Sequence, residues 1–305
     1  MGAGISVPAT SANLGPGFDS FGLALDLHNE FEAELADSWL VEIEGEGAGA
    51  LDAGADNQVA RAMKVAFEVC GQPEAAAHIR CTNRIPLGNG LGSSSSAIVG
   101  GLLLGFRLLG QVADSDRVLE LSTGIEGHSD NAAAAILGGF TVCWTDAGRP
   151  RTARFEPARG LAAVVVVATS ELSTSSARAM LPIDVPHADA AFNVAHAGLL
   201  AASIATGRPE LLGAALADRL HEPYRAPAVG DLQAVHDILR TAGAAGVALS
   251  GAGPTVIGLV AADTDEAAHA LAVEVAERAA ADVRELPTRR APQAMRIDRR
   301  GARLL

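Results

Sequence analysis

Apolar and polar residues alternate over Ile5 to Pro8, Phe21 to Leu27, Phe31 to Leu35 and Trp39 to Ile43. That two-residue period predicts strands with one wet face, arranged as antiparallel neighbours. Ala9 to Asp19 interrupts them as a polar segment, and Gly45 to Gly54 reads as a turn-rich connection. The period then changes. Between Asn57 and Cys70, apolar Val59, Ala62, Met63, Ala66 and Val69 fall on one face of a helix, and Lys64 faces solvent. Ala77 to Thr82 predicts a strand that delivers the chain into the segment Pro86 to Ala97. Helices are expected from Ser94 or Ser95 to Leu109 and over Ser115 to Gly124. A third is expected over Ala132 to Leu137, stopped by Gly138-Gly139.

Leu161 to Ala168 has the apolar run of a central strand, and a domain boundary is placed in the turn-rich stretch from Gly148 to Gly160. This divides the chain into residues 1–155 and 156–305. Helical periodicity covers Phe192 to Thr206, Leu211 to Leu220 and Leu232 to Ala242. Gly246 to Val260 reads as two strands joined by a tight glycine loop, followed by a helix from Thr264 to Ala281 and an edge strand near Asp282 to Leu286. Short strands alternating with helices predict an α+β fold with antiparallel sheets, and no internal repeat is visible.

Composition narrows the function classes. Of 305 residues, 49% are hydrophobic and 19% charged, the balance of a folded chain with a substantial core. A net charge of -13 argues against a nucleic-acid or anionic-membrane surface, but leaves room for an anionic small molecule in a local arginine pocket. Cys70, Cys81 and Cys143 are scattered, which argues against a disulfide framework or a cysteine zinc site and predicts a reducing compartment. No basic-then-apolar leader opens the sequence, and Leu161 to Ala168 is too short to span a bilayer, so a cytoplasmic location is expected.

The most informative chemistry lies in Pro86-Leu87-Gly88-Asn89-Gly90-Leu91-Gly92-Ser93-Ser94-Ser95-Ser96. Alternating glycines permit tight turns and close backbone approach, while the serines and a helix start supply donors and the positive end of a dipole. The segment suits phosphates without being a Walker loop, because Lys64, the only lysine, lies upstream. A second polar cluster, Glu126-Gly127-His128-Ser129-Asp130-Asn131, precedes the alanine-rich helix, where its acids and amide also suit capping. His78, His187, His196, His221, His236 and His269 show no metal-ligand spacing and read as structural or surface residues.

Three segments in order, Pro8 to Asp19, Pro86 to Ala97 and Ser250-Gly251-Ala252-Gly253-Pro254-Thr255, resemble the GHMP family of small-molecule kinases across nearly the whole chain. The resemblance is strongest to its homoserine kinase branch, through Glu126 to Asn131, Ser173 to Pro182 and His221-Glu222-Pro223-Tyr224-Arg225. One departure is Ser129, where that branch commonly has proline. The resemblance implies a ribosomal-protein-S5-like amino-terminal domain, a ferredoxin-like carboxy-terminal domain, and phosphorylation of L-homoserine by ATP with Mg²⁺. Mevalonate or phosphomevalonate kinase, or a catalytically silent regulatory protein, are the alternatives. It further implies that Pro86 to Ser96 bind nucleotide and that Ser93, Ser94 and Glu126 serve the metal, with Glu120 as the rival acid. Asn13, Asp19, His128, Asp130, Arg178 and Arg225 would surround the substrate, with Asn131, Asp130 and Thr174 nearest the reaction. Many such kinases form homodimers.

Overall fold

The structure, a computed structural model, describes residues 2–305. Its first sheet is built from β1 (Ala3–Ala12), β2 (Phe21–Ala36), β3 (Leu40–Gly45) and, after α1 (Gln58–Val69), β4 (Ala76–Asn83). The strands lie in the order β11-β1-β2-β4-β3, where β11 (Arg303–Leu304) is the last strand of the chain. β2 is one 16-residue strand, not the two expected. Between Pro8, which pairs with His28, and Ala9, which pairs with Leu25, the register shifts to leave Asp26 and Leu27 over, so pairing continues past them. β3 pairs with β4 in parallel, correcting the antiparallel expectation, because α1 makes the crossover between them.

Three helices follow: α2 (Ser93–Leu108), α3 (Ser115–Glu126) and α4 (Asp130–Leu137). Val59, Ala62, Met63, Ala66 and Phe67 of α1 pack with Ile98, Leu102 and Leu104 of α2 and with Val7 and Phe31 of the sheet. The hairpin of β5 (Phe140–Asp146) and β6 (Arg149–Phe155), which periodicity missed, joins the start of β2.

The second sheet is antiparallel, in the order β10-β7-β9-β8. It comprises β7 (Leu161–Val166), β8 (Gly246–Leu249), β9 (Val256–Ala261) and β10 (Gln293–Arg296). Between β7 and β8 run α5 (Thr174–Ala179), α6 (His187–Thr206), α7 (Leu212–Ala215), α8 (Glu222–Val229) and α9 (Leu232–Ala242), and α10 (Asp265–Arg284) follows β9. α9 and α10 cover one face of the sheet with Val235, Leu239, Val275 and Ala279.

Two sequence expectations change here. The helix expected over Leu211 to Leu220 is only the four residues of α7, because Asp218 accepts the N–H groups of Leu220, His221 and Glu222 and starts α8 instead. The strand expected near Asp282 is helix: Val283 continues the buried row Ala272, Ala276, Ala279 of α10. α6 has the length and mean hydropathy, 1.2, of a membrane span, yet Asn193, Leu200, Ser203 and Ile204 on it face this protein's own interior. The three cysteines are free.

Candidate active site

The glycine loop ends in a helix start that offers no side-chain cap. Gly92 is the N-cap of α2, in the left-handed region at φ +70°, and the first-turn N–H groups of Ser93 to Ser95 are left for another acceptor. Glycine is required here. A Cβ on Gly92 would lie 1.9 Å from Thr10 Oγ1, and one on Gly90, at φ +80°, would lie 2.2 Å from the Ser250 carbonyl oxygen. The loop is thereby pressed against β1 on one side and the Ser250–Thr255 turn on the other.

Opposite it, the polar segment after β1 folds into a tight left-handed run, Asn13 at φ 66°, Leu14 at 49° and Gly15 at 70°, with Asp19 at 54°. Non-glycine residues seldom adopt this region, and such strain collects at functional sites. The buried Asn13 amide spans the gap. Its Nδ2 donates to Gly251 O at 2.7 Å and its Oδ1 accepts from Asp19 N at 2.9 Å. Asn13 thus holds Asp19 and the last glycine loop in place.

The second polar cluster closes the third side. Glu126 ends α3, and its Oε2 accepts from Ser95 Oγ at 2.6 Å. Burial pushes the Glu126 carboxyl above the usual range, against the effects of His128 and of hydrogen bonds from Ser95 and Ser94. Glu120 instead pairs with Arg117 on the exposed face of α3. Asp130 is buried at the start of α4, where its Oδ1 accepts from Asn131 N at 2.8 Å and meets His128 Nδ1 at 3.1 Å. For His128, burial opposes the charged form, but the pairing with Asp130 and the charge of Glu126 leave its pKa raised.

Two arginines complete the enclosure. Arg178, in the last turn of α5, forks onto Asp19 with bonds of 2.8 and 2.6 Å. Arg225 is only 2% exposed. Its donors reach Ala177 O at 3.4 Å, Gly251 O at 3.2 Å and His221 Nδ1 at 3.1 Å, none of them a carboxylate. Burial lowers the His221 pKa to about 4, opposed by Asp218 and aided by Arg225, so the ring is neutral and its Nε2–H donates to Gly15 O at 2.8 Å. Phe18 lies under both guanidinium groups, 5.8 Å from Arg178 and 5.5 Å from Arg225, and stacks on His221.

These parts line one cleft of about 120 Å³. Beside it, sharing Gly88, Ser93 and Ser94, lies a cavity of about 360 Å³ bounded by Leu51, Asp52, Gln58 and Leu87.

The family models for the GHMP kinases N terminal domain and GHMP kinases C terminal match residues 57–139 and 200–281. A homoserine kinase of Streptomyces coelicolor is 46% identical over 272 residues, covering 88% of this chain and 87% of that protein. The crystal structure of homoserine kinase from Cytophaga hutchinsonii superposes with a TM-score of 0.86 at 25% identity, covering 100% of this chain and 97% of that one. The chain belongs to the GHMP kinase family, in its homoserine kinase branch. A mevalonate kinase structure shares the fold at a TM-score of 0.69 and 15% identity, covering 97% of this chain and 99% of that one.

In this GHMP kinase, Asn13, Asp19, His128, Asp130, Asn131, Thr174, Arg178 and Arg225 all line the cleft, together with Glu126, Gly88, Asn89, Gly90, Gly92, Ser93, Ser94 and Ser95. Four residues of the expected phosphate segment do not. Leu91 points into the core, Pro86 and Ser96 are buried outside the cleft, and Leu87 lines the larger cavity. A segment that turns into a helix cannot present every side chain to one side. Ser94 accepts from Gln58 Nε2 at 2.7 Å, and Ser95, expected to bind nucleotide, donates its hydroxyl to Glu126 at 2.6 Å. Sequence reading also gave no role to Phe18, although an aromatic directly after Gly15-Pro16-Gly17 was the available signal. His221, read as ordinary, forms the wall behind Arg225.

Proposed function

We propose that this chain transfers the γ-phosphoryl group of ATP to the side-chain hydroxyl of L-homoserine, giving O-phospho-L-homoserine and ADP on the route to threonine. The observation that carries the acceptor assignment is Arg225. Asp19, Asp218 and Asp130 act on the buried Arg225 charge from a distance, but every acceptor its guanidinium bonds is neutral, and a carboxylate in the cleft would give it a charged partner. Arg178 stands alongside on the same Phe18 ring, and Asp19 offers a carboxylate for an ammonium group. Two cations beside one anion suit the zwitterion of an α-amino acid. Mevalonate has a carboxylate but no ammonium group for Asp19 to meet.

Nucleotide would occupy the larger cavity, whose volume of about 360 Å³ falls within the range of ligand pockets. Its phosphates would then meet the uncapped start of α2. Ser93, Ser94 and Glu126 supply hydroxyl and carboxylate oxygens, the hard donor set that fits Mg²⁺. When bound, Mg²⁺ neutralises charge on the β- and γ-phosphoryl oxygens. Glu126, rather than Glu120, is our metal-side acid, because it alone reaches the serines of α2.

For the transfer, the homoserine hydroxyl oxygen forms a bond to the γ-phosphorus as the bond from that phosphorus to the bridging oxygen of ADP breaks. The hydroxyl proton passes to an oxygen of the transferred group or to water. No side-chain base is needed, and the structure favours that reading. Asp130 is occupied by His128 and the Asn131 N–H, and Asp19 is assigned to the substrate ammonium. Asn131 and Thr174 flank the reacting groups as hydrogen-bonding partners, and catalysis rests on alignment and preorganised donors. The sheets change over between Phe155 and Leu161, which supports a division at 155/156 with β11 returning to the first unit.

Magnesium-dependent ADP formation with homoserine, mevalonate, phosphomevalonate, galactose and no acceptor tests this assignment. Turnover with homoserine alone supports it. Turnover with another acceptor keeps the kinase and rejects the pocket, whereas ATP binding without turnover points to a regulatory protein.

A further inference from the structure

We infer that Thr10 is a positioning residue for phosphoryl transfer: its hydroxyl fixes the Asn131 carboxamide so that Nδ2 faces the reacting groups. Thr10 is fully buried in β1 and does not line the cleft. Its Oγ1 donates to Asn131 Oδ1 at 2.8 Å, and its N–H donates to Leu91 O at 3.1 Å. The space that a Gly92 Cβ would fill lies 1.9 Å from Thr10 Oγ1 and 3.3 Å from Asn131 Oδ1. β1, the start of α2 and the first turn of α4 therefore meet at this one side chain.

The hydroxyl has a single proton, and it goes to the amide oxygen. That leaves Nδ2 as the group Asn131 presents to the cleft. An amide N–H₂ donates to an oxygen gaining negative charge, which is what a transferred phosphoryl group needs. The last torsion of asparagine is broad and roughly two-fold. Without the Thr10 hydroxyl, the amide would be free to turn its oxygen toward the phosphoryl oxygens and repel them.

The inference rests on the phosphotransfer reading and adds a residue that touches neither substrate. It is tested by steady-state kinetics and thermal unfolding of Thr10→Val, Thr10→Ser, Asn131→Ala and the double variant Thr10→Val/Asn131→Ala. Thr10→Val keeps the shape and removes the hydroxyl. It should lower kcat by about tenfold to a hundredfold, the cost of a small misplacement near the chemistry, with both KM values little changed. Thr10→Ser should recover most of the loss. In the Asn131→Ala background, Thr10→Val should have no further effect on kcat, as expected when one residue acts through the other.

Wild-type kcat in Thr10→Val, or an equal loss with and without Asn131, would overturn the inference. Should Thr10→Val fail to fold, Thr10→Ala set against Thr10→Ser carries the same comparison in the same cycle. A wild-type enzyme that phosphorylates no acceptor fails the phosphotransfer reading itself. A wild-type enzyme that turns over homoserine while Thr10→Val matches it fails only the role of Thr10.

Discussion

Arg178 holds Asp19 by a two-point fork although 159 positions separate them in the chain. Both side chains keep more than a third of their surface exposed, 37% and 39%, so the pair is worth about 1 kcal/mol or less to the fold. Under the proposed function, a pair this weak would open to an amino acid that offers a carboxylate to Arg178 and an ammonium to Asp19. Asp19→Asn is expected to leave the unfolding temperature within a few degrees of wild type. The KM for homoserine should rise about tenfold or more, the worth of one charged hydrogen bond. Unfolding scans and homoserine titrations check the two halves separately.

Arg225 makes the opposite bargain, being buried at 2% exposure with neutral partners. Arg225→Met fills similar space without the charge, so its stability should equal or exceed that of wild type, as happens when buried ions give way to apolar residues. Homoserine affinity should fall about tenfold to a hundredfold, the scale of a lost charge-assisted hydrogen bond. Stability gained while acceptor binding is lost would mark a residue kept for function. Lost stability with unchanged KM would mark a structural cation.

Gly92 combines two requirements that a control position separates. Gly110 has nearly the same φ, +71° against +70°, but nothing lies within 4 Å of the place its Cβ would take. Gly110→Ala should therefore show the left-handed cost alone, about 1–2 kcal/mol. Gly92→Ala should cost more, because its Cβ meets Thr10 Oγ1, and should weaken nucleotide use as well. Denaturant unfolding of the two variants, read beside ATP titrations, measures both effects.

The antiparallel sheets and most helices were readable from periodicity because it reports which face is buried. The β3–β4 pairing was not, since the direction of a strand depends on the crossover helix between two apolar segments that look alike. The contributors to the cleft came from motif residues, and nearly all of them meet there. What the sequence hid was the internal partnership: Thr10 with Asn131, Ser95 with Glu126, and His221 with Arg225. Such pairs join residues 121 or 31 positions apart, or repeat the i,i+4 spacing of any helix, and only the fold singles them out.

Asp298 predicts an acid-labile anchor for the carboxy-terminal strand. Its carboxylate accepts from His28, Gly301 N, Arg300 N and Arg303. Burial alone would raise its pKa, but these donors bring it down to about 2. A carboxyl depressed in the folded state adds stability above its unfolded pKa near 3.9, and that stability is lost as pH falls toward 2. The contribution is about 2 kcal/mol. Asp298→Asn should lower stability by about this amount at pH 7 and flatten the loss between pH 4 and pH 2. Urea unfolding across that pH range is the measurement.

The reaction proposed for this cleft is phosphorylation of the hydroxyl of a zwitterionic amino acid. Phosphorus NMR of a reaction containing the protein, ATP, Mg²⁺ and L-homoserine is the decisive measurement. A phosphomonoester signal should grow in step with ADP and be identified as O-phospho-L-homoserine by mass. ADP appearing with inorganic phosphate alone, or no loss of ATP with homoserine while a parallel reaction consumes ATP and phosphorylates mevalonate, would overturn the assignment.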